Sequence, residues 1–371
     1  MEDWVHLRMR FPPFDEPAHE AAELPIADVC WQDEGDTSEL KIGSESSWFI
    51  DRSRVDSPPP DSQVLDSPPS SEGSREPRQS RTGWALSPHP LHNVARKLIP
   101  YAVAFLILGV VIHALEPVLL RWGVMTEALA GSVRFGLLEY PVLFVAAGPL
   151  VVTPIIMRVV ANVVDIRSQR NFSQNPPNSP EITIESALTD QPVRFTCKFP
   201  DSLNPSTVTA RLRVGALSPD RSAWMAAHGR RTGSRPPPGL STPLPGSWMP
   251  QGVDGSGVGE STPLLIGRGS SQLFQEPMRL RAEGTLITLG EGVNEVPVPE
   301  GPWPASEYGP LVSIHHELVF NLKFSSGRTL HWLQPVDVSV GKTPHSVPNP
   351  IVDSGRLEST TDSVAHMNVD G

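Results

Sequence analysis

Val312-Ser-Ile-His-His-Glu-Leu-Val-Phe-Asn-Leu-Lys-Phe324 decides how this chain is read. Val312, Ile314, His316, Leu318, Phe320, Leu322 and Phe324 share one side, while Ser313, His315, Glu317, Asn321 and Lys323 share the other. Alternation sustained over that length predicts a half-buried β-strand. Ser325-Ser-Gly-Arg328 then supplies a turn, with Gly327 free to take a positive φ. Leu330, Trp332, Val336, Val338 and Val340 resume the apolar face. Pro335 has no N–H to give a central ladder, so the second strand is expected at an edge or with a bulge there.

The same period appears upstream. Val193, Phe195, Cys197 and Phe199 alternate with Arg194, Thr196 and Lys198. After the break at 200–206, Val208, Ala210, Leu212 and Val214 alternate with Thr209, Arg211 and Arg213. Met278-Arg-Leu-Arg281 is a shorter instance. Between them, residues 215–277 turn to Pro, Gly and Ser, as in Arg235-Pro-Pro-Pro-Gly239, and are expected to be a disordered insert. The glycines at 252–259 have no leading strand, no following helix and no Gly-Lys-Ser/Thr, which argues against a phosphate loop. Residues 178–214 and 278–341 together make about 100 residues, the size of one immunoglobulin-like sandwich.

A second signal is apolar. Leu98 to Ile112 carries no charge, and Tyr140 to Met157 carries none before Arg158. A crossing needs about 20 residues. Residues 98–165 are therefore read as a membrane hairpin with spans at about 98–116 and 140–158. Pro141, Pro149 and Pro154 would break a soluble helix but are tolerated in a membrane. Arg78, Arg81, Arg96 and Lys97 precede the first span, and Arg158, Arg167 and Arg170 follow the second. That bias places both termini in the cytosol. The sequon at Asn171 would then stay unmodified.

Composition limits the rest. Proline (41) and glycine (29) are abundant and only 39% is apolar, too little to fill two large cores. Eighteen acids against seven bases through residue 80 account for the whole net charge of −11. Residues 1–97, with Val-Asp-Ser-Pro-Pro at 55–59 and Leu-Asp-Ser-Pro-Pro at 65–69, read as a disordered acidic tail. Residues 342–371 read as a second tail. No basic patch points to nucleic acid. Cys30 and Cys197 make no framework, which suits a reducing compartment.

Gly309 to Gly327, followed by Leu333-Gln-Pro-Val-Asp-Val-Ser-Val340, resembles the C-terminal domain of fungal arrestin-like proteins. Ile314, His316, Leu318 and Phe320 match that family's penultimate strand, and Pro335-Val336 its last. Gln191-Pro-Val-Arg-Phe to Arg213 looks like the strand pair opening the same domain. The resemblance implies an all-β immunoglobulin-like sandwich of the arrestin C-domain type and an adaptor role. The chain departs from the family in showing no N-terminal sandwich, and Tyr101, Tyr140 and Tyr308 form no Pro-Pro-x-Tyr motif.

His315, His316 and Glu317 are the one dense titratable cluster of the folded part. Neighbours on a strand point to opposite faces, so the histidines cannot chelate one ion together. His316 reads as a core or boundary histidine, and His315 with Glu317 as an outward surface pair. His113 and Glu116, three apart at the end of the first span, read as an interfacial anchor. No catalytic, cofactor or metal residues emerge. The expectation is a membrane-anchored, non-enzymatic adaptor with the lipid bilayer and protein partners, such as integral membrane cargo or trafficking machinery. A soluble arrestin-like adaptor and a transport or channel accessory subunit are the alternatives.

Overall fold

Thr207–Leu217 and Ser313–Lys323, eleven residues each, lie antiparallel at the centre of the β-structure. Such strands run about 36 Å, longer than one small sandwich core requires. The computed structural model describes residues 4–12, 20–33, 39–68, 82–86, 89, 91–126, 130–175, 177–217, 219–231, 264–266, 272–274, 278–301, 303–325, 329–341, 346–347 and 351–352. Two compact units are formed, Met1–Ser87 with Phe172–Gly371, and Pro88–Asn171.

In chain order the first unit begins with β1 (Trp4–Arg10), β2 (Ala27–Gln32), β3 (Leu40–Gly43), β4 (Phe49–Val55), β5 (Gln63–Val64) and β6 (Gly83–Leu86). Helix α1 (Leu91–Arg121), strands β7 (Ser132–Phe135) and β8 (Leu138–Pro141), and helix α2 (Val142–Gln174) follow. The first unit then resumes with β9 (Glu181–Ser186), β10 (Val193–Lys198), β11 (Thr207–Leu217) and the short helix α3 (Arg221–Ala227). Next come β12 (Leu264–Ile266), β13 (Gln272–Phe274), β14 (Met278–Glu283), β15 (Ile287–Thr288) and β16 (Val293–Val296). The last strands are β17 (Glu307–Tyr308), β18 (Ser313–Lys323), β19 (Thr329–Val336), β20 (Ser346–Val347) and β21 (Ile351–Val352).

The protein is therefore mostly β, in several sandwich-like sheets, with two long apolar helices. The largest sheet runs β13-β12-β6-β19-β18-β11-β14-β21, with β15 and β17 added at β11 and β18. Three smaller sheets accompany it, β20-β3-β4-β1-β2-β5 and β16-β10-β9 in the first unit and the two-stranded β7-β8 in the second. The even-numbered positions of β11 and β18 meet both smaller sheets of the first unit. Val214, Ala216 and Ile314 join a core with Val5, Leu7 and Met9 of the six-stranded sheet. Further along the same face, Ala210, Leu212, Leu318 and Phe320 join Val193 and Phe195 of the three-stranded sheet. One pair of long strands thus backs two cores, where the sequence predicts a single sandwich.

The register read from the alternation holds, with Phe320 opposite Trp332 and both in the core. Pro335 also sits where it can. β6 pairs with β19 only over Leu330–Leu333, and Pro335 pairs with Glu317 on the other side. Among the described residues, no ladder partner reaches the edge where its N–H is missing.

Three expectations are corrected. Residues 1–97 are not a disordered tail: β1 to β6 and the start of α1 fall within them. Composition averaged over the stretch hides short alternations such as Val5, Leu7 and Met9 between His6, Arg8 and Arg10. Charges there are paired, the partly exposed Arg8 with Asp28 and Glu45, and the buried Arg52 with Glu307 of β17. Within 215–277, β11 continues to Leu217 and α3 follows, capped by Asp220, whose Oδ1 accepts from Ser222 N at 2.9 Å and Ala223 N at 3.2 Å. Trp224 anchors α3 in the first core. Strands β12 and β13 also lie in that stretch, while 232–263 fall outside the described residues. Finally, β20 and β21 lie in the expected polar tail, β20 pairing with β3 and β21 with β14. Residues 353–371 are outside the described residues.

Candidate functional site

The second unit is built on α1 and α2. Val94–Arg121 and Gly148–Ser168 are long and apolar enough to cross a membrane, and among the described residues only 6% and 11% of their most apolar stretches are buried. Leu108 and Ile155 are more than half exposed. In water such surface would cost roughly 25 cal/mol for every Å² left uncovered. α1 runs past both ends of the span expected at 98–116, whereas α2 starts at Val142, after Tyr140 and Pro141 of β8, and runs past the expected end at 158 through Asp165 and Arg167. Pro100, Pro117, Pro149 and Pro154 lie inside the helices.

A polar clasp joins the ends that lead to the β-structure. Asp165 of α2 accepts the His89 backbone N–H at 3.0 Å and pairs with His92 Nε2 at 2.9 Å. At the opposite end of the pair, His113 packs edge-on against Phe144 and holds Glu116 through Nδ1 at 2.8 Å. His113 and Glu116 thus contact each other, as their spacing predicts. The His92–Asp165 contact is not apparent from the sequence, since nothing in the linear order says which turns of two antiparallel helices face each other.

The titratable cluster of the β-structure is buried, not a surface pair. Glu317 and His315 are fully covered, and Arg213 is 1% exposed. Arg213 donates from Nε to Glu317 Oε1 at 2.5 Å, and His315 Nε2 stands 3.3 Å from Glu317 Oε2. Tyr308 Oη meets His315 Nδ1 at 2.7 Å. Arg211 pairs with Glu283 of β14 on the same face, and burial pulls its guanidinium below its ordinary range. Asn321, expected to face out, is buried with His331, whose Nδ1 donates to Asn321 Oδ1 at 2.5 Å. These residues do occupy the odd face that period two assigns to them. Their error lies in the solvent, because this face is covered and both sides of β11 and β18 are buried. Paired charges and matched hydrogen bonds make that burial tolerable.

His316 sits in the core as expected, with Nδ1 3.1 Å from Ser306 Oγ. Burial, with His315 beside it, pushes its pKa down to about 3. Burial, then Arg211 and Arg213, pushes His331 down to about 3 as well. Both imidazoles are neutral in the fold, whereas the unfolded chain protonates them near 6.5. The unfolded chain therefore binds more protons between about pH 6.5 and 3, and stability falls as pH drops through that window. Each histidine should steepen the loss by roughly 1 kcal/mol per pH unit. Urea melts at pH 7, 6 and 5 check this, and a midpoint constant over that range would contradict it.

Cys30 and Cys197 are free thiols, and burial pushes Cys197 up to about 11. Among the described residues, no group of three His, Cys, Asp or Glu side chains is placed to hold a metal ion. No family model matches the chain, and neither a curated protein nor a solved structure matches it.

Proposed function

We propose that this chain is a membrane-anchored, non-enzymatic interaction protein, held by α1 and α2 as a two-span hairpin and presenting its β-structure to the cytosol. One observation carries the reading. Strands from before α1 and after α2 build the same sheets: β6 pairs with β19, β3 pairs with β20, and Trp84 donates to the Pro177 carbonyl at 3.1 Å. Paired strands lie about 5 Å apart, so two flanks separated by a bilayer about 30 Å thick cannot share a ladder. The shared sheets support both flanks on one side, as an even number of crossings gives. The Arg/Lys bias around the hairpin favours the cytosol as that side.

The arrestin C-domain resemblance falls on β10, β11, β18 and β19, whose inward side chains include Phe195, Phe320 and Trp332. Adaptors of this kind act through sheet edges and loops, with no chemical step. Integral membrane cargo or trafficking machinery are the partners proposed, because the hairpin confines the domain to the membrane surface. Carbonate extraction of membranes from cells expressing the full chain tests the anchor. The protein should stay in the pellet at pH 11, and release into the supernatant with peripheral proteins would overturn the reading.

A further inference from the structure

Val55-Asp-Ser-Pro-Pro59 and Leu65-Asp-Ser-Pro-Pro69 are near-copies ten residues apart. The fold brings their serines to one end of the six-stranded sheet. β4 runs antiparallel to β1, β1 antiparallel to β2, and β2 parallel to β5, so β4 and β5 point the same way. Ser57 stands two residues past the end of β4 and Ser67 three past the end of β5. Three strand spacings, about 14–15 Å, separate those strands. Both serines are exposed, and among the described residues nothing holds either hydroxyl. Ser62 between them differs: it is half-buried, its Oγ donates to the Pro59 carbonyl at 2.8 Å, and Gln63 follows it. Ser179-Pro180 differs too, since Pro180 is buried where the chain enters β9. Ser87 and Ser218, which also precede proline, lie outside the described residues.

We infer that Ser57 and Ser67 are a paired phosphorylation site for a proline-directed protein kinase. The inference rests on the cytosolic placement of the β-structure, the side where nucleoside triphosphate and such kinases act. Proline selects the enzyme class. It biases the serine before it toward extended backbone and presents no N–H of its own. A groove that grips an extended segment and offers no acceptor at that position would leave any other residue's N–H unpaired. In each event the serine Oγ forms a bond to the γ-phosphorus of ATP, and the bond from that phosphorus to the β–γ bridging oxygen breaks. ADP leaves with the electron pair, and the hydroxyl proton passes to the kinase's carboxylate base. The two phosphates together add a charge of about −3 to −4 at pH 7, beside the exposed Asp56, Asp61 and Asp66. That end of the sheet then fits a protein partner with clustered arginines.

The test incubates the full-length protein in detergent with γ-labelled ATP and a purified proline-directed serine kinase, with free peptides 52–62, 62–72 and 174–184 as parallel substrates. Phosphopeptide mapping should find both Ser57 and Ser67 modified, and Ser57→Ala and Ser67→Ala should each remove one phosphate. Pro58→Ala and Pro68→Ala should slow labelling of their own serines at least tenfold. Ser62 should stay unlabelled, and Ser179 in the chain should react at least tenfold more slowly than in its free peptide. Phosphorylation of the peptides 52–62 and 62–72 without phosphorylation of the chain would overturn the inference. So would labelling of Ser62 and Ser179 equal to that of Ser57 and Ser67, or full rates in the proline variants. Sealed vesicles with the cytosolic side outward separate this inference from the membrane reading. Labelling in detergent but not in those vesicles defeats the cytosolic placement alone, whereas no labelling in detergent defeats the phosphorylation site alone.

Discussion

Glu317→Ala should lower the unfolding free energy by about 3–5 kcal/mol, because it strands the Arg213 guanidinium in a covered sheet face. The loss should exceed what removal of a surface charge produces, which usually stays within about 0.5 kcal/mol. Arg213→Leu combined with Glu317→Leu should recover much of it, since a matched apolar pair removes both of those charges together and leaves Arg211 paired with Glu283. Urea denaturation of the purified full chain, followed by tryptophan fluorescence, measures both. A single variant as stable as wild type would mean that water reaches Glu317, and that the odd face of β11 and β18 is open.

Phe320→Ala should cost a similar amount, about 3–5 kcal/mol. The ring packs edge-on against Phe195 at 5.5 Å and Phe199 at 5.6 Å, so its loss opens a cavity shared by the central and three-stranded sheets. A domain with a total stability of about 5–15 kcal/mol would be left marginal. A midpoint shift equal to that of a change at exposed Ser339 would show that no packed core surrounds Phe320.

The two predictions fall on opposite faces of one strand, and they mark what the sequence does and does not reveal. Period two places Phe320 and Glu317 on different faces without error, because the pleat leaves no choice once the strand is recognised. Whether the second face meets water is a tertiary fact. Arg211, Arg213, His315 and Glu317 look like an ordinary solvated face until Glu283 of β14 and Tyr308 of β17 are brought beside them. The six-stranded sheet was hidden for another reason. Its strands are four to seven residues long apart from the edge pieces β5 and β20, and each alternation is diluted by acidic and Pro/Ser-rich neighbours. Only pairing across the chain, as in β1 between β2 and β4, makes Val5, Leu7 and Met9 a core. The apolar helices were legible because a run of uncharged residues depends on no distant partner. Their clasp was not, since it depends on how two helices align.

The membrane hairpin and the shared sheets together make one claim that a single measurement can reach. Cysteines introduced at Val64, Leu137 and Val340, all exposed, in a Cys197→Ser background can be probed with an impermeant maleimide in sealed membrane vesicles of known orientation. Positions 64 and 340 lie on the two flanks that share sheets, and Leu137 lies in the turn between β7 and β8. The account predicts that 64 and 340 label from the cytosolic side and 137 only after the vesicles are opened. Labelling of 64 and 340 from opposite sides, or of all three from the same side, would contradict it.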